Sequence, residues 1–256
     1  MTQLASRTHV IFDLFHTLVT ADGRMPGTHE LLRVDRDAYL RAVFNDAHDR
    51  LTGAISDPAD VVADIARRAG SPVPESAYAE IARARVRRFA EALGEIDRAI
   101  LAAVDALVAG GKTLALISNA DAIEAAGWPA SPLATRFETA VFSCHVGLAK
   151  PDPAIFRHCL DRLGIAAGDA VYVGDGGSNE FEGARAVGLT TVCTTEFIRQ
   201  TRPNDVERMS AAADYCVDSL SSLAAALLLD PVRHLDAGGV PSRAGLDRSG
   251  PRVARE

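Results

Sequence analysis

The chain has 256 residues, enough for one large domain or for a core that carries a smaller insert. With 48% hydrophobic and 24% charged residues its composition is that of a globular protein, which excludes disorder throughout. A formal charge of −7 argues against a nucleic-acid partner, and the lack of a long uncharged apolar run argues against a membrane span.

The first element in chain order is Val10-Ile11-Phe12, a short apolar run that stops at Asp13 and reads as a buried strand of a parallel sheet. Similar runs follow at Thr113 to Ile117, Thr139 to Phe142, Ala170 to Val173 and Thr190 to Cys193, with a weaker sixth at Asp214 to Val217. Helical patterns lie between them. Ile100, Leu101, Val104, Leu107 and Val108 share one helical face, stopped by Gly110-Gly111. Pro153 to Leu163 closes at Gly164, Asn179 to Val187 closes at Gly188, and Leu220 to Leu229 is the last helix. Alternation of this kind predicts an α/β fold, a doubly wound parallel sheet.

One stretch breaks the alternation. Between Thr20 and Ile96 the patterns are helical only: His29 to Leu51 is mostly helical, Asp57-Pro58 opens a helix that Gly70 ends, and Ser76 to Leu93 forms another. The expected organisation is a core of residues 1–20 and 97–230 and an all-helical subdomain at 21–96. The Gly-, Pro- and Arg-rich tail at 231–256 is expected to be disordered.

Ligands of open α/β sheets bind beyond the carboxyl ends of the strands. Four such ends carry polar residues here: Asp13 with Thr17, Ser118 with Asn119, the loop holding Lys150-Pro151, and Gly174-Asp175 with Glu180. Asp13, Asp175 and Glu180 are carboxylates that the fold brings close, so their mutual repulsion calls for a cation. An all-oxygen set suits magnesium. Ser118, Asn119 and Lys150 supply donors for an anion, and metal plus lysine around one carboxylate suits phosphoryl transfer. A carboxylate is itself able to attack phosphorus.

These segments resemble the four motifs of the haloacid dehalogenase-like superfamily: Asp13-Leu14-Phe15-His16-Thr17, Ser118-Asn119, Lys150-Pro151-Asp152-Pro153 with Ile155-Phe156, and Gly174-Asp175 through Glu180. The resemblance runs in order over residues 10 to about 218. It implies a Rossmann-like core, with the helical insert as a cap over the site. It implies that Asp13 is nucleophile and metal ligand, that the backbone carbonyl of Phe15 is a second ligand, and that Asp175 and Glu180 complete a Mg2+ site. Thr17 and Ser118 would contact the transferring group, and Lys150 would neutralise charge. The expected substrate is a small anionic, phosphorylated metabolite, hydrolysed through an aspartyl-phosphate in the cytoplasm.

Two departures matter. Phosphatases of this family usually carry a second Asp two residues after the nucleophile, as acid and base; here Phe15 stands there, and Glu180 replaces the more usual Asp. Haloacid dehalogenases also lack the second Asp and need no metal, which makes 2-haloacid dehalogenase the rival activity. They place Ser, Asn and Tyr where this chain has Asp175, Gly177 and Phe156. A third possibility is a weak or non-catalytic binding protein. Phosphonoacetaldehyde hydrolases need a cap lysine, and no lysine lies between Thr20 and Ile96. Cys144, Cys159, Cys193 and Cys216 show no CxxC spacing and read as small buried hydrophobes in a reducing compartment. Arg33, Arg36 and Arg41 read as a solvated helix face.

Overall fold

In the computed structural model, which describes residues 2–20, 26–45 and 47–228, the six expected strands form one all-parallel sheet. They are β1 (His9–Phe12), β2 (Thr113–Ser118), β3 (Thr139–Phe142), β4 (Ala170–Gly174), β5 (Thr190–Thr194) and β6 (Tyr215–Val217). Their order across the sheet is β3-β2-β1-β4-β5-β6. The reversal of winding falls between β1 and β4, where Phe12 pairs with Val173, so the crevice of a doubly wound sheet opens next to Asp13. The helices of seven or more residues are α1 (Arg36–Phe44), α2 (Pro58–Ala69), α3 (Tyr78–Gly94), α4 (Arg98–Ala109), α5 (Pro153–Leu163), α6 (Glu180–Ala186) and α7 (Leu220–Leu228).

Period-two alternation sorts the strand residues onto two faces. Val10, Phe12, Leu114, Leu116, Val171 and Val173 face one apolar cluster, with Ile100, Val104 and Leu107 of α4 and Leu223 and Leu227 of α7. Ile11, Ala115, Ile117, Val141 and Tyr172 face the other, with Ile155 and Phe156 of α5 and Phe181 of α6. Both faces are covered, as a parallel sheet requires.

Among the described residues of the insert there are helices and no strand. Leu32, Ala42, Val61, Val62, Ile65, Ile81 and Phe89 gather into a third apolar cluster. The stretch read as one mostly helical run from His29 to Leu51 is instead three pieces, Thr28–Leu31, Arg36–Phe44 and His48–Leu51. Arg33 lies at φ +52, and Asp35 caps α1 by accepting from Ala38 N. Asp57 and Pro58 start α2 as expected, and Gly70 ends it in the left-handed region. The expected disorder at 231–256 lies outside the described residues.

Two of the four cysteines depart from expectation. Cys159 and Cys193 are buried, but Cys144 is half-buried and Cys216 exposed; all four are unpaired. No described helix is long and apolar enough to cross a membrane.

The insert is pinned by buried charge. Arg50 donates to Asp64 on the inner face of α2 and to the carbonyls of Ala42 and Val43, each at 2.8 Å. Its side chain is 2% exposed and that of Asp64 is 3%. Removing one partner of such a pair strands the other charge. Asp64→Ala is therefore expected to cost about 3–5 kcal/mol in urea unfolding. A loss below about 1 kcal/mol, the size of a surface pair, would contradict the burial described.

Candidate active site

Asp13 follows β1 directly and continues its pairing, donating from its backbone N to Val173 O at 2.8 Å. The chain then folds into a tight turn, with Leu18 N bonded to Leu14 O at 2.8 Å and His16 N to Val19 O at 2.7 Å. His16 takes φ +64 in this turn. The turn returns Thr17 to Asp13: Thr17 Oγ1 donates to Asp13 Oδ2 at 3.0 Å. Phe15 turns away from polar chemistry. Its ring meets Phe89 of α3 edge-on at 5.4 Å between centroids, joining the strand tip to the insert.

The tip of β2 positions the lysine. Asn119 accepts from Lys150 N at 2.7 Å and donates to Lys150 O at 2.8 Å. Both ends of the amide that the sequence suggested as a substrate donor thus hold the lysine backbone. Downstream, Asp152 caps α5 through Ala154 N at 2.8 Å with Pro153 in the first turn, fixing the loop from the other side. The ammonium then sits among three partners: Asp13 Oδ1 at 2.5 Å, Glu180 Oε2 at 2.7 Å and the hydroxyl of Tyr172 at 3.1 Å. Tyr172 itself donates to Glu180 Oε2 at 2.6 Å. Ser118 Oγ is buried and has no hydrogen-bond partner among the described residues, which leaves its hydroxyl open to a ligand.

The tip of β4 brings the remaining acids. Gly176, at φ +84, starts a turn in which Ser178 and Asn179 also take positive φ. Two non-glycine residues in that region beside a cluster of acids store strain where function concentrates. The turn aims backbone donors at the carboxylates: Gly177 N at Asp175 Oδ1 and Gly176 N at Glu180 Oε1, both at 2.8 Å. A Cβ on Gly174 would stand 2.0 Å from Glu180 Oε1, so only glycine lets that carboxylate lie across the strand end. From beyond β5, Arg202 reaches back and pairs with Asp175 Oδ2.

Burial drives the electrostatics. It pushes the Asp13 carboxyl above its ordinary range, against the pull of Lys150 and with the push of Asp175. Burial likewise raises Glu180 to about 7, opposed by Lys150 and reinforced by Asp13 and Asp175. Burial disfavours the Lys150 charge, but Asp13 and Glu180 outweigh it and hold the ammonium protonated well past its usual range. The Tyr172 phenol is pushed well up by burial and by Glu180. Three acids face Lys150 and Arg202, so the site has one negative charge in excess when all are ionised.

One oxygen each from Asp13, Asp175 and Glu180 lies within 4.8 Å of the others, and all three residues are buried. An all-carboxylate cluster of this size is a hard donor set, and the residues present fit the magnesium ion expected from the sequence. The structure brings together Asp13, Thr17, Lys150, Asp175 and Glu180. Arg33, Arg36 and Arg41 are exposed, in keeping with a solvated face. Two participants were missed in the sequence. Tyr172 hides in the apolar run of β4, where only its hydroxyl distinguishes it. Arg202 lies in the loop after β5, a fifth strand end to which the rule that found the other four also applies.

A protein-family model for haloacid dehalogenase-like hydrolases matches residues 8–188. Among curated proteins, phosphoserine phosphatase of Thermus thermophilus is 39% identical over 75 residues, 29% of this chain and 29% of that protein. Glyceraldehyde 3-phosphate phosphatase of Methanopyrus kandleri is 38% identical over 101 residues, 39% of this chain and 40% of that protein. The matched stretches thus span well under half of these relatives' own length. Among solved structures, 2-haloacid dehalogenase from Pseudomonas syringae pv. Tomato DC3000 superposes with a TM-score of 0.58 at 23% identity, over 86% of this chain and 98% of that one. That likeness is one of fold.

Proposed function

The chain belongs to the haloacid dehalogenase-like hydrolases, and from that premise we propose that it is a magnesium-dependent phosphohydrolase acting on a small phosphorylated metabolite. The observation that carries this is the buried cluster of Asp13, Asp175 and Glu180 at two neighbouring strand tips, with Lys150 beside the nucleophile. Two curated relatives named as phosphatases support it.

The cation would be held by Asp13, the Phe15 carbonyl, Asp175 and Glu180, and when bound it would offset phosphoryl charge and orient the phosphorus towards Asp13. A carboxylate oxygen of Asp13 attacks phosphorus, the P–O bond to the leaving group breaks, and that oxygen departs with the electron pair. Thr17 and the open Ser118 hydroxyl donate to the phosphoryl oxygens, and Lys150 compensates charge on Asp13 and phosphate together. Water then hydrolyses the aspartyl-phosphate. Phe15 neither gives nor takes a proton in either half-reaction, and general acid–base help is worth typically ~10²–10⁴ in rate. The enzyme therefore favours substrates whose leaving group is already a weak base. Acetyl phosphate and p-nitrophenyl phosphate should turn over with magnesium and not with chelator, and unactivated alkyl phosphates far more slowly.

A pH dependence follows from Glu180. Its folded value, about 7, exceeds the ordinary 4.5, so the folded protein holds extra protons between those values. Stability due to this group is present below about 4.5 and declines as pH rises towards about 7. A cation at the site replaces the proton, so magnesium should stabilise more at pH 8 than at pH 6 and release protons on binding. At about 100 times Kd the gain is about 2.7 kcal/mol, readable as a rise in Tm. A Tm that ignores magnesium at both pH values would remove the metal from the mechanism.

A second reading, 2-haloacid dehalogenase, is favoured by one observation. Arg202 neutralises Asp175, which weakens the objection that this carboxylate would repel a carboxylate substrate. Asp13 would then displace halide from C2 and form an ester that water cleaves, without metal. Chloride release from 2-chloropropionate in the presence of EDTA would install this activity in place of the first. Tight ligand binding with neither turnover would mark a binding protein.

A further inference from the structure

The geometry points to Arg202 as a built-in competitor of the divalent cation, one that occupies Asp175 and so sets how readily the site loads; this rests on the magnesium reading above. Asp175 has two oxygens. Oδ1 accepts the backbone N of Gly177 at 2.8 Å, and Oδ2 is held by the Arg202 guanidinium. A cation at Oδ2 and a guanidinium on the same oxygen are like charges at contact, so one must leave.

The two basic residues of the site differ in their freedom to do so. The Lys150 side chain is 3% exposed, its backbone is fixed by Asn119, and its ammonium has three partners. The Arg202 side chain is 35% exposed and has Asp175 as its hydrogen-bond partner, while its backbone is fixed, donating to Ile198 O at 2.7 Å and accepting from Asp205 N at 2.9 Å. Ile198 is fully buried, which anchors the loop beneath it. A long side chain on a fixed base with a solvated face swings away at low cost, and a partly exposed ion pair is weak enough for an ion to displace. Lys150 belongs to the loaded and unloaded site alike; Arg202 belongs to the unloaded one.

The test is cation affinity, read without substrate. Mn2+ binding is followed by electron paramagnetic resonance and Mg2+ binding by calorimetry, for the full chain and for Arg202→Gln, Arg202→Lys and Asp175→Asn. Arg202→Gln is expected to tighten Kd roughly two- to fivefold, the range set by loss of one partly solvated charge contact. Arg202→Lys should stay near the parent value, and Asp175→Asn should weaken binding. An Arg202→Gln protein that binds no more tightly than a parent that does bind overturns the competitor and leaves the metal site standing. No saturable binding by the parent sinks the metal site and the competitor together. Should Arg202→Gln fail to fold, the Nε–Hε signal of Arg202 in the parent decides: it shifts as Mg2+ is added if the guanidinium is displaced, and stays in place if the proposal is wrong.

Discussion

Asp13→Asn is expected to abolish turnover of activated phosphate esters, by about 10⁴- to 10⁶-fold in kcat, while the protein melts no lower than its parent. The activity loss follows from chemistry: an amide oxygen is a poor nucleophile, and in this family it is the Asp13 carboxylate that would become esterified. The stability follows from the environment. Asp13 is one of three buried acids within 4.8 Å, and burial already pushes its carboxyl towards the neutral form. An amide of the same shape removes a repelling charge from Asp175 and Glu180; its oxygen takes the place of Oδ1 and accepts from Lys150, and its NH2 takes the place of Oδ2 and donates to the Thr17 hydroxyl. Loss of activity with unchanged Tm would identify the nucleophile. Retained turnover in Asp13→Asn would dismiss the covalent mechanism under either the phosphatase or the dehalogenase reading.

The sheet was legible in the sequence because each strand is a short apolar run ended by a turn residue, and because both faces are buried. Val10-Ile11-Phe12 cannot avoid contributing to both apolar clusters, whatever the rest of the chain does. The site was legible for a related reason: an acid that interrupts such a run at its carboxyl end has one place to be, the crevice. Tyr172 was not legible, because a phenol inside an apolar strand is indistinguishable from packing until the ammonium of Lys150 stands 3.1 Å from it. The loop of Arg202 lay within reach of the strand-end rule, but its pairing with Asp175 was not legible, since it spans two strand tips that only the parallel order β1-β4-β5 makes neighbours. Asn119 was found as a donor, but that both ends of its side-chain amide hold the Lys150 backbone was not legible, because composition cannot say what an amide faces. The break of the His29 to Leu51 run depended on a positive φ at Arg33, a residue with no turn propensity to announce it.

Lys150→Met should damage stability as well as rate, and the damage should grow with pH. The side chain keeps its apolar stem but loses the terminal ammonium, leaving Asp13, Glu180 and Asp175 with Arg202 as the remaining cation in the cluster. Removing one partner of a buried, hydrogen-bonded ion pair costs about 3–5 kcal/mol. The direction of the pH dependence comes from the acids. Lys150 is the group that opposes the upward shift of both Asp13 and Glu180. Without it their folded values rise further above the ordinary 3.8 and 4.5. Carboxyls raised on folding bind more protons folded than unfolded, so the variant is most stable in acid and loses stability as pH climbs through and beyond about 7. The lysine's own contribution has the same sign in a higher window: its folded value lies above the ordinary 10.5, so in the parent it is fully present below that pH and fades only in strong alkali. Parent and variant should therefore differ across the whole range, least near pH 5 and most near pH 8, in urea unfolding monitored by circular dichroism. A constant gap across that range would mean that Lys150 acts by packing rather than by charge, and the electrostatic account of the surroundings of Asp13 would have to be rebuilt around Tyr172 and the backbone donors of the β4 turn.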